Sequence, residues 1–148
     1  SFLVHPPPAH VDAVQVLQSI KDMDLKIGLI SNTGMTPGFT FRCYMEERGM
    51  LDFFQTVTFS DEVKVAKPGS EIFKMTLKEL GATPDQAIHV GDHVTNDVVG
   101  AKRCGMKTVW ISGFYKRDDP NDPETEPDIT VSGLADVVPA VAKLTGRR

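Results

Sequence analysis

Most of what this chain lacks bears on what it can be. No apolar run approaches the roughly 20 residues that a helix needs to cross a bilayer, and the opening stretch SFLVHPPPAH does not read as a secretory signal. Basic residues are scattered and outnumbered, 16 Lys and Arg against 20 Asp and Glu. That balance speaks against a general nucleic-acid or anionic-membrane binder, so neither partner is expected. Cysteine is scarce: Cys43 and Cys104 have neither metal-site nor redox-motif spacing, and are expected to be reduced, partly buried thiols of a cytoplasmic protein. There is no internal repeat. What remains, 148 residues with 41% hydrophobic and 24% charged, is one soluble domain long enough to bury a core.

Short apolar runs alternate with longer amphipathic ones. LKIGLIS (25–31) has the compact apolar character of a buried strand. Before it, Val11, Val14, Leu17 and Ile20 recur near helical spacing, after a start marked by Pro6 to Pro8. Thr36 and Pro37 read as a helix cap and first-turn proline, for a helix running to about Arg48 and stopping at Gly49. QTVTFS is a second strand. A helix over 70–80 sets Ile72, Phe73, Thr76, Leu77 and Leu80 on one face and closes at Gly81. AIHVG (87–91) is a third strand, followed by a helix from Asn96 to about Cys104. KTVWIS (107–112) is a fourth strand, 119–127 is an acidic, proline-rich solvated loop, DITV is a short edge strand, and LADVVPAVAKL is a last helix with Pro139 in its first turns. This alternation predicts an α/β domain: a parallel, Rossmann-like sheet with helices on both faces.

In such sheets ligands bind outside the carboxyl ends of the strands. That rule selects Ser31 and Asn32, then Ser60, Asp61 and Glu62, then Asp92. Taken singly, each candidate has an ordinary structural reading. Ser-Asn after a strand makes a turn or helix cap, Lys67-Pro68 a solvated surface lysine, and Gly91-Asp92 a strand-to-helix turn. Taken in order, a hydroxyl, a lysine and a carboxylate at or beyond the ends of parallel strands can converge on one phosphoryl group. Ser31 and the Asn32 N–H can donate to its oxygens, Lys67 can offset its charge, and Asp92 can hold a hard cation such as Mg2+.

LISN, KPGSEIF and GDHVTND, with SDEV before the lysine and GATPDQAIHVGD leading into the last, resemble the second, third and fourth motifs of the haloacid dehalogenase superfamily, in the family's order. The resemblance runs from about residue 9 to about residue 143 and is similar to the subfamily with a helical cap inserted before the second motif. It implies Ser31 and Asn32 as phosphoryl-binding groups and Lys67 as the group that steadies nucleophile and phosphate. It further implies Asp92 as a direct Mg2+ ligand, Asp97 as a carboxylate that touches the metal or stands behind its ligands, and Asn96 as support for the loop. For Asp97 a helix-terminus carboxylate is an equal alternative. His93 stands where the family varies and reads as exposed, and His89 as a hydrogen-bonded core histidine. Lys64 occupies a position where the family more often has glycine, which implies a changed loop.

The family's first motif, an aspartate-rich strand end that supplies the nucleophile, has no counterpart: no apolar run here ends in paired aspartates. The resemblance puts that strand in the middle of the sheet, between those ending at Ser31 and Gly91. The core is therefore expected to lack its central strand. The gap would be closed directly, filled by SFLV, or filled by a strand from a second copy, with dimerisation or aggregation as the consequence. Three functions are carried forward. The first is a Mg2+-dependent phosphatase of small phosphorylated metabolites, working through an aspartyl-phosphate on the missing nucleophile. The second is a 2-haloacid dehalogenase-like hydrolase, against which Asp92 counts. The third is a non-catalytic fragment or binding module.

Overall fold

The computed structural model describes residues 10–147, with side chains from Ala13 onward. Its elements run α1 (His10–Asp22), β1 (Gly28–Ser31), α2 (Gly38–Glu47), β2 (Thr56–Phe59), α3 (Ser60–Val63), α4 (Ser70–Leu80), β3 (Ile88–Gly91), α5 (Gly100–Arg103), β4 (Lys107–Ile111), β5 (Ile129–Val131) and α6 (Val137–Thr145). A π-helical turn, Val94–Val99, leads into α5. The expected α/β alternation is present, and every paired strand is parallel to its neighbour. Among the described residues no helix is long and apolar enough to cross a membrane.

Strand residues alternate between two helical layers, as a two-residue period requires. Leu29 and Phe59 pack with Ala13 and Leu17 of α1 and Met45 of α2. Their neighbours face α4: Ile30 joins Ile72, Phe73 and Leu77, and Thr58 shares a 2.8 Å hydrogen bond with Thr76. On the other sheet, Val109, Ile111 and Val131 pack with Val16 of α1 and with Val137, Ala140 and Val141 of α6. The three layers are thus α1, α2 and α6, then the strands, then α4 and α5. α4 has the predicted bounds, with Ile72, Phe73, Thr76 and Leu77 buried and Gly81 closing it in the left-handed conformation that glycine adopts without a Cβ clash.

The strands form two sheets, β1-β2 and β3-β4-β5. Among the described residues no strand lies between β1 and β3. A cavity of about 530 Å³ separates them, walled by Gly28–Ile30 and Ile88–Val90 and covered by Leu17 and Ile20 of α1 and Phe73 and Leu77 of α4. The expected gap is there, and direct pairing has not closed it. SFLV, one of the two expected fillers (a strand from a second copy is the other), lies outside the described residues.

Two local expectations change, the cap of α2 and the burial of Cys43, and two features are added, at SDEV and Lys64. α2 starts at Gly38, and Thr36 does not cap it. The Gly38 N–H instead donates to Asp61 Oδ2 at 3.0 Å, so a carboxylate from the end of β2 does the capping. SDEV forms a helical turn that strand-and-helix periodicity is too coarse to resolve. Lys64 takes up the left-handed backbone itself, at φ 65°. Both thiols are free, but Cys43 is exposed rather than partly buried.

Candidate active site at the carboxyl ends of the strands

β1 ends in Ser31, which is 2% exposed, and the turn after it is knitted to two other loops. The Asn32 side-chain amide clasps the main chain of Lys67: Nδ2 donates to the Lys67 carbonyl at 2.9 Å, and Oδ1 accepts the Lys67 N–H at 2.9 Å. An amide reproduces the donor-acceptor pair of a neighbouring strand, so this residue fixes where the lysine leaves the chain. Thr33 binds the next loop. Its N–H donates to Ser60 Oγ at 3.0 Å, and its hydroxyl donates to Asp61 Oδ1 at 3.1 Å. The Gly38 N–H holds the Asp61 carboxyl below the usual carboxylate range, with Thr33 adding to the effect. Glu62 pairs with Arg42 at 2.7 Å. Of the strand-end residues picked out by position, Ser60, Asp61 and Glu62 therefore serve the scaffold. The hydroxyl of Ser31 is not drawn into this network.

Lys67 is not the solvated lysine of its ordinary reading. Only 5% exposed, it extends its ammonium to the Ile30 carbonyl at 3.3 Å and to Asp97 Oδ1 at 2.6 Å. Ile30 belongs to β1 and Asp97 packs against β3, so one side chain spans the two sheets. Asp97 was expected as a metal-associated or helix-terminus carboxylate. It stands in the first turn of the π-helical segment, in keeping with the helix-terminus reading, and is also the counter-ion of Lys67, with His89 Nε2 on Oδ1 at 2.8 Å and the His93 N–H donating to Oδ2 at 3.0 Å. Burial pushes the Asp97 carboxyl upward, but the hydrogen bond from His89 and the charge of Lys67 outweigh it and hold the acid well below the usual carboxylate range. Burial lowers the pKa of His89, so its neutral imidazole is the form at neutral pH. Gly91 makes room for Asp97: a Cβ there would collide with the carboxylate.

Asp92, 6% exposed, follows β3 directly, and its carbonyl is fixed by Trp110 Nε1 at 2.8 Å. The Asn96 N–H donates to His93 Nδ1 at 3.0 Å, which supports the turn by its main chain. The His93 ring, half-buried rather than exposed, packs on Tyr115 with centroids 4.7 Å apart. As a site for Mg2+, this set is partial. Both Asp97 oxygens are engaged, and among the described residues no three His, Cys, Asp or Glu side chains come together. Asp92 has the donor chemistry the ion takes, since Mg2+ keeps several waters and commonly binds one or two protein carboxylates. Sequence reasoning missed the Asn32 clasp and the link from Lys67 through Asp97 to His89. The signal for the second was His89 and Gly91 sharing one strand face.

Parallel strands between helical layers, with a buried lysine, a hydroxyl and a carboxylate at their carboxyl ends, define an α/β core of the Rossmann-like class. Residues 7–111 match the haloacid dehalogenase-like hydrolase family, and the chain belongs to it. It is 33% identical over 138 residues to a glyceraldehyde 3-phosphate phosphatase of Methanopyrus kandleri, covering 89% of this chain and 57% of that protein. It is 37% identical over 94 residues to a phosphoserine phosphatase of Thermus thermophilus, covering 64% of this chain and 36% of that one. The crystal structure of a HAD phosphatase from Thermococcus onnurineus superposes with a TM-score of 0.72 at 30% identity, over 86% of this chain and 55% of the other. The chain spans from about a third to just over half of the length of these three relatives.

Proposed function

We propose that this chain forms the larger part of the core of a magnesium-dependent phosphatase that acts on a small phosphomonoester. The observation that carries the reading is the buried Lys67 ammonium, held between the Ile30 carbonyl and Asp97 at the carboxyl ends of β1 and β3. A charge kept there in a water-poor setting stabilises the anionic phosphoryl group far more than it would in water. Ser31 Oγ and the Asn32 N–H donate to the phosphoryl oxygens. Asp92 holds the Mg2+, and the bound ion supplies further neutralisation of the phosphate.

The nucleophile is an aspartate on a strand that occupies the cavity between β1 and β3. It attacks phosphorus and displaces the ester oxygen, which leaves with a proton as the alcohol, and water then hydrolyses the aspartyl-phosphate to release phosphate and restore the aspartate. Without that strand the two edges offer unpaired backbone to a second copy, which favours dimers or strand exchange. Free thiols suit a cytoplasmic setting. Displacement of halide from carbon needs no metal, so Asp92 speaks for phosphoryl chemistry over a dehalogenase.

The test compares this chain with a longer form carrying the nucleophile strand, on p-nitrophenyl phosphate with Mg2+. Turnover is expected only in the longer form, and Asp92→Asn there should abolish it. Normal activity in that variant would reject the assignment. Equal inactivity of both forms would favour a binding module. Light scattering on the 148-residue chain is expected to show concentration-dependent association; a monodisperse, heat-resistant monomer would overturn the open-edge reading.

A further inference from the structure

His89 is a buried imidazole that phosphoryl transfer, as read above, does not call upon. It projects from the face of β3 that also carries Gly91, packed edge-on to Phe73 with ring centroids 5.1 Å apart and planes at 84°. Its Nε2 lies 2.8 Å from Asp97 Oδ1, the oxygen that also receives the Lys67 ammonium at 2.6 Å. An ionised carboxylate has only acceptors, so Nε2 carries the proton and donates.

The ammonium needs this arrangement. A lysine stem has four rotatable bonds and sits wherever its acceptors hold it. The Ile30 carbonyl, at 3.3 Å, lies beyond the range of a firm N–H···O bond and cannot fix it alone. Asp97 must do so, yet a carboxyl group turns about a broad terminal torsion. Two donors other than the lysine fix that plane: the His93 N–H on Oδ2 and the His89 Nε2–H on Oδ1.

We propose that His89 is a positioning residue, which orients Asp97 so that Lys67 is held across the gap between the two sheets. The geometric part stands on the contacts above; its consequence for turnover rests on the phosphatase reading. His89→Phe keeps a ring against Phe73 and removes the donor, whereas His89→Gln restores a side-chain N–H.

The readout is the acetylation rate of Lys67 by dilute acetic anhydride in the 148-residue chain, followed by mass spectrometry against the exposed Lys107. Loss of a hydrogen bond to a charged group should speed Lys67 labelling about tenfold in His89→Phe, and His89→Gln should return it toward the wild-type rate. Unchanged protection in His89→Phe, or the same acceleration in both variants, overturns the proposal. Should His89→Phe fail to fold, imidazole 15N spectra of the unaltered chain decide: an Nε2–H tautomer of His89 is expected, and an Nδ1–H tautomer overturns it. In the longer, active form His89→Phe should lower kcat with little change in KM, and His89→Gln should recover it. Failure of the phosphatase reading would leave that form inactive while the labelling pattern persisted.

Discussion

In the β1-β2 sheet, β1 ends in neutral groups, Ser31, Asn32 and Thr33, and the carboxylates that follow β2 are committed to the scaffold, Asp61 to Gly38 and Thr33 and Glu62 to Arg42. The β3-β4-β5 sheet ends in Asp92 and encloses Asp97 against His89. The uncommitted hydroxyl of Ser31 thus lies on one half, and the carboxylate that receives the Lys67 ammonium on the other. Lys67 joins them, rooted by Asn32 on the first half and paired with Asp97 on the second. A long basic side chain can reach across a gap that main-chain pairing leaves open, and so Lys67 acts as a fastening between the two halves.

The comparison can be broken most severely at that fastening. Lys67→Met leaves Asp97 buried without its counter-ion and should lower stability by about 3–5 kcal/mol in urea melts. Adding Asp97→Leu should recover much of the loss, because apolar groups can replace a buried pair. If the single variant melts like wild type, the two halves do not depend on the lysine. In an active, longer form, Lys67→Met should also cost more turnover than Ser31→Ala, which removes one neutral hydrogen bond.

Unequal pairing gives the next test. β4 has a strand on each side, whereas β1 and β2 have only each other among the described residues. Amides of β4 should exchange with deuterium at least about tenfold more slowly than those of β1. Equal protection would show that the halves unfold as one unit and that the cavity between them matters little.

A smaller effect is expected at Lys64, in the loop after β2. A non-glycine residue at φ 65° costs on the order of 1 kcal/mol relative to glycine. Lys64→Gly should therefore raise the melting temperature by a few degrees, with its gain confined to the first half. No gain would mean that the lysine side chain offsets its backbone cost.

The smallest effect is a pH dependence at Asp61. Its folded-state pKa is depressed, so its contribution is present above the ordinary carboxylate value near 3.8 and is lost as pH falls below it. Asp61→Asn should flatten the fall in melting temperature between about pH 5 and pH 3 and leave the neutral-pH slope alone. An unchanged acid slope would remove Asp61 as the cap of α2.

Much of the architecture was legible before the structure. α4 lies where the spacing of Ile72, Phe73, Thr76 and Leu77 put it, and the five strands coincide with the five apolar runs. The candidate residues Ser31, Asn32, Lys67, Asp92 and Asp97 were legible by position, since strand ends and motif order are linear properties of the chain. Their partnerships were less so. The chain's one Asp-x-Asp, Asp22 to Asp24, shows why residue type alone misleads. It closes α1 before β1 begins, with Asp22 bound to Gln18 and Asp24 at φ 62°, at the opposite end of β1 from Ser31.

By itself the sequence determined the order and kind of elements, because the periods of burial, 2.0 for a strand and 3.6 for a helix, are set by residues adjacent in the chain. It also determined which side chains stand at the carboxyl ends. Only the tertiary structure decided what those side chains hold. Asn32 grips the Lys67 main chain rather than standing beside a ligand, Asp61 caps a helix 23 residues before it, and Asp97 pairs with a lysine from another loop. Each of these bonds joins residues far apart in the chain. Its length depends on how helices seat on strands and on whether a glycine leaves space, and no local propensity encodes that.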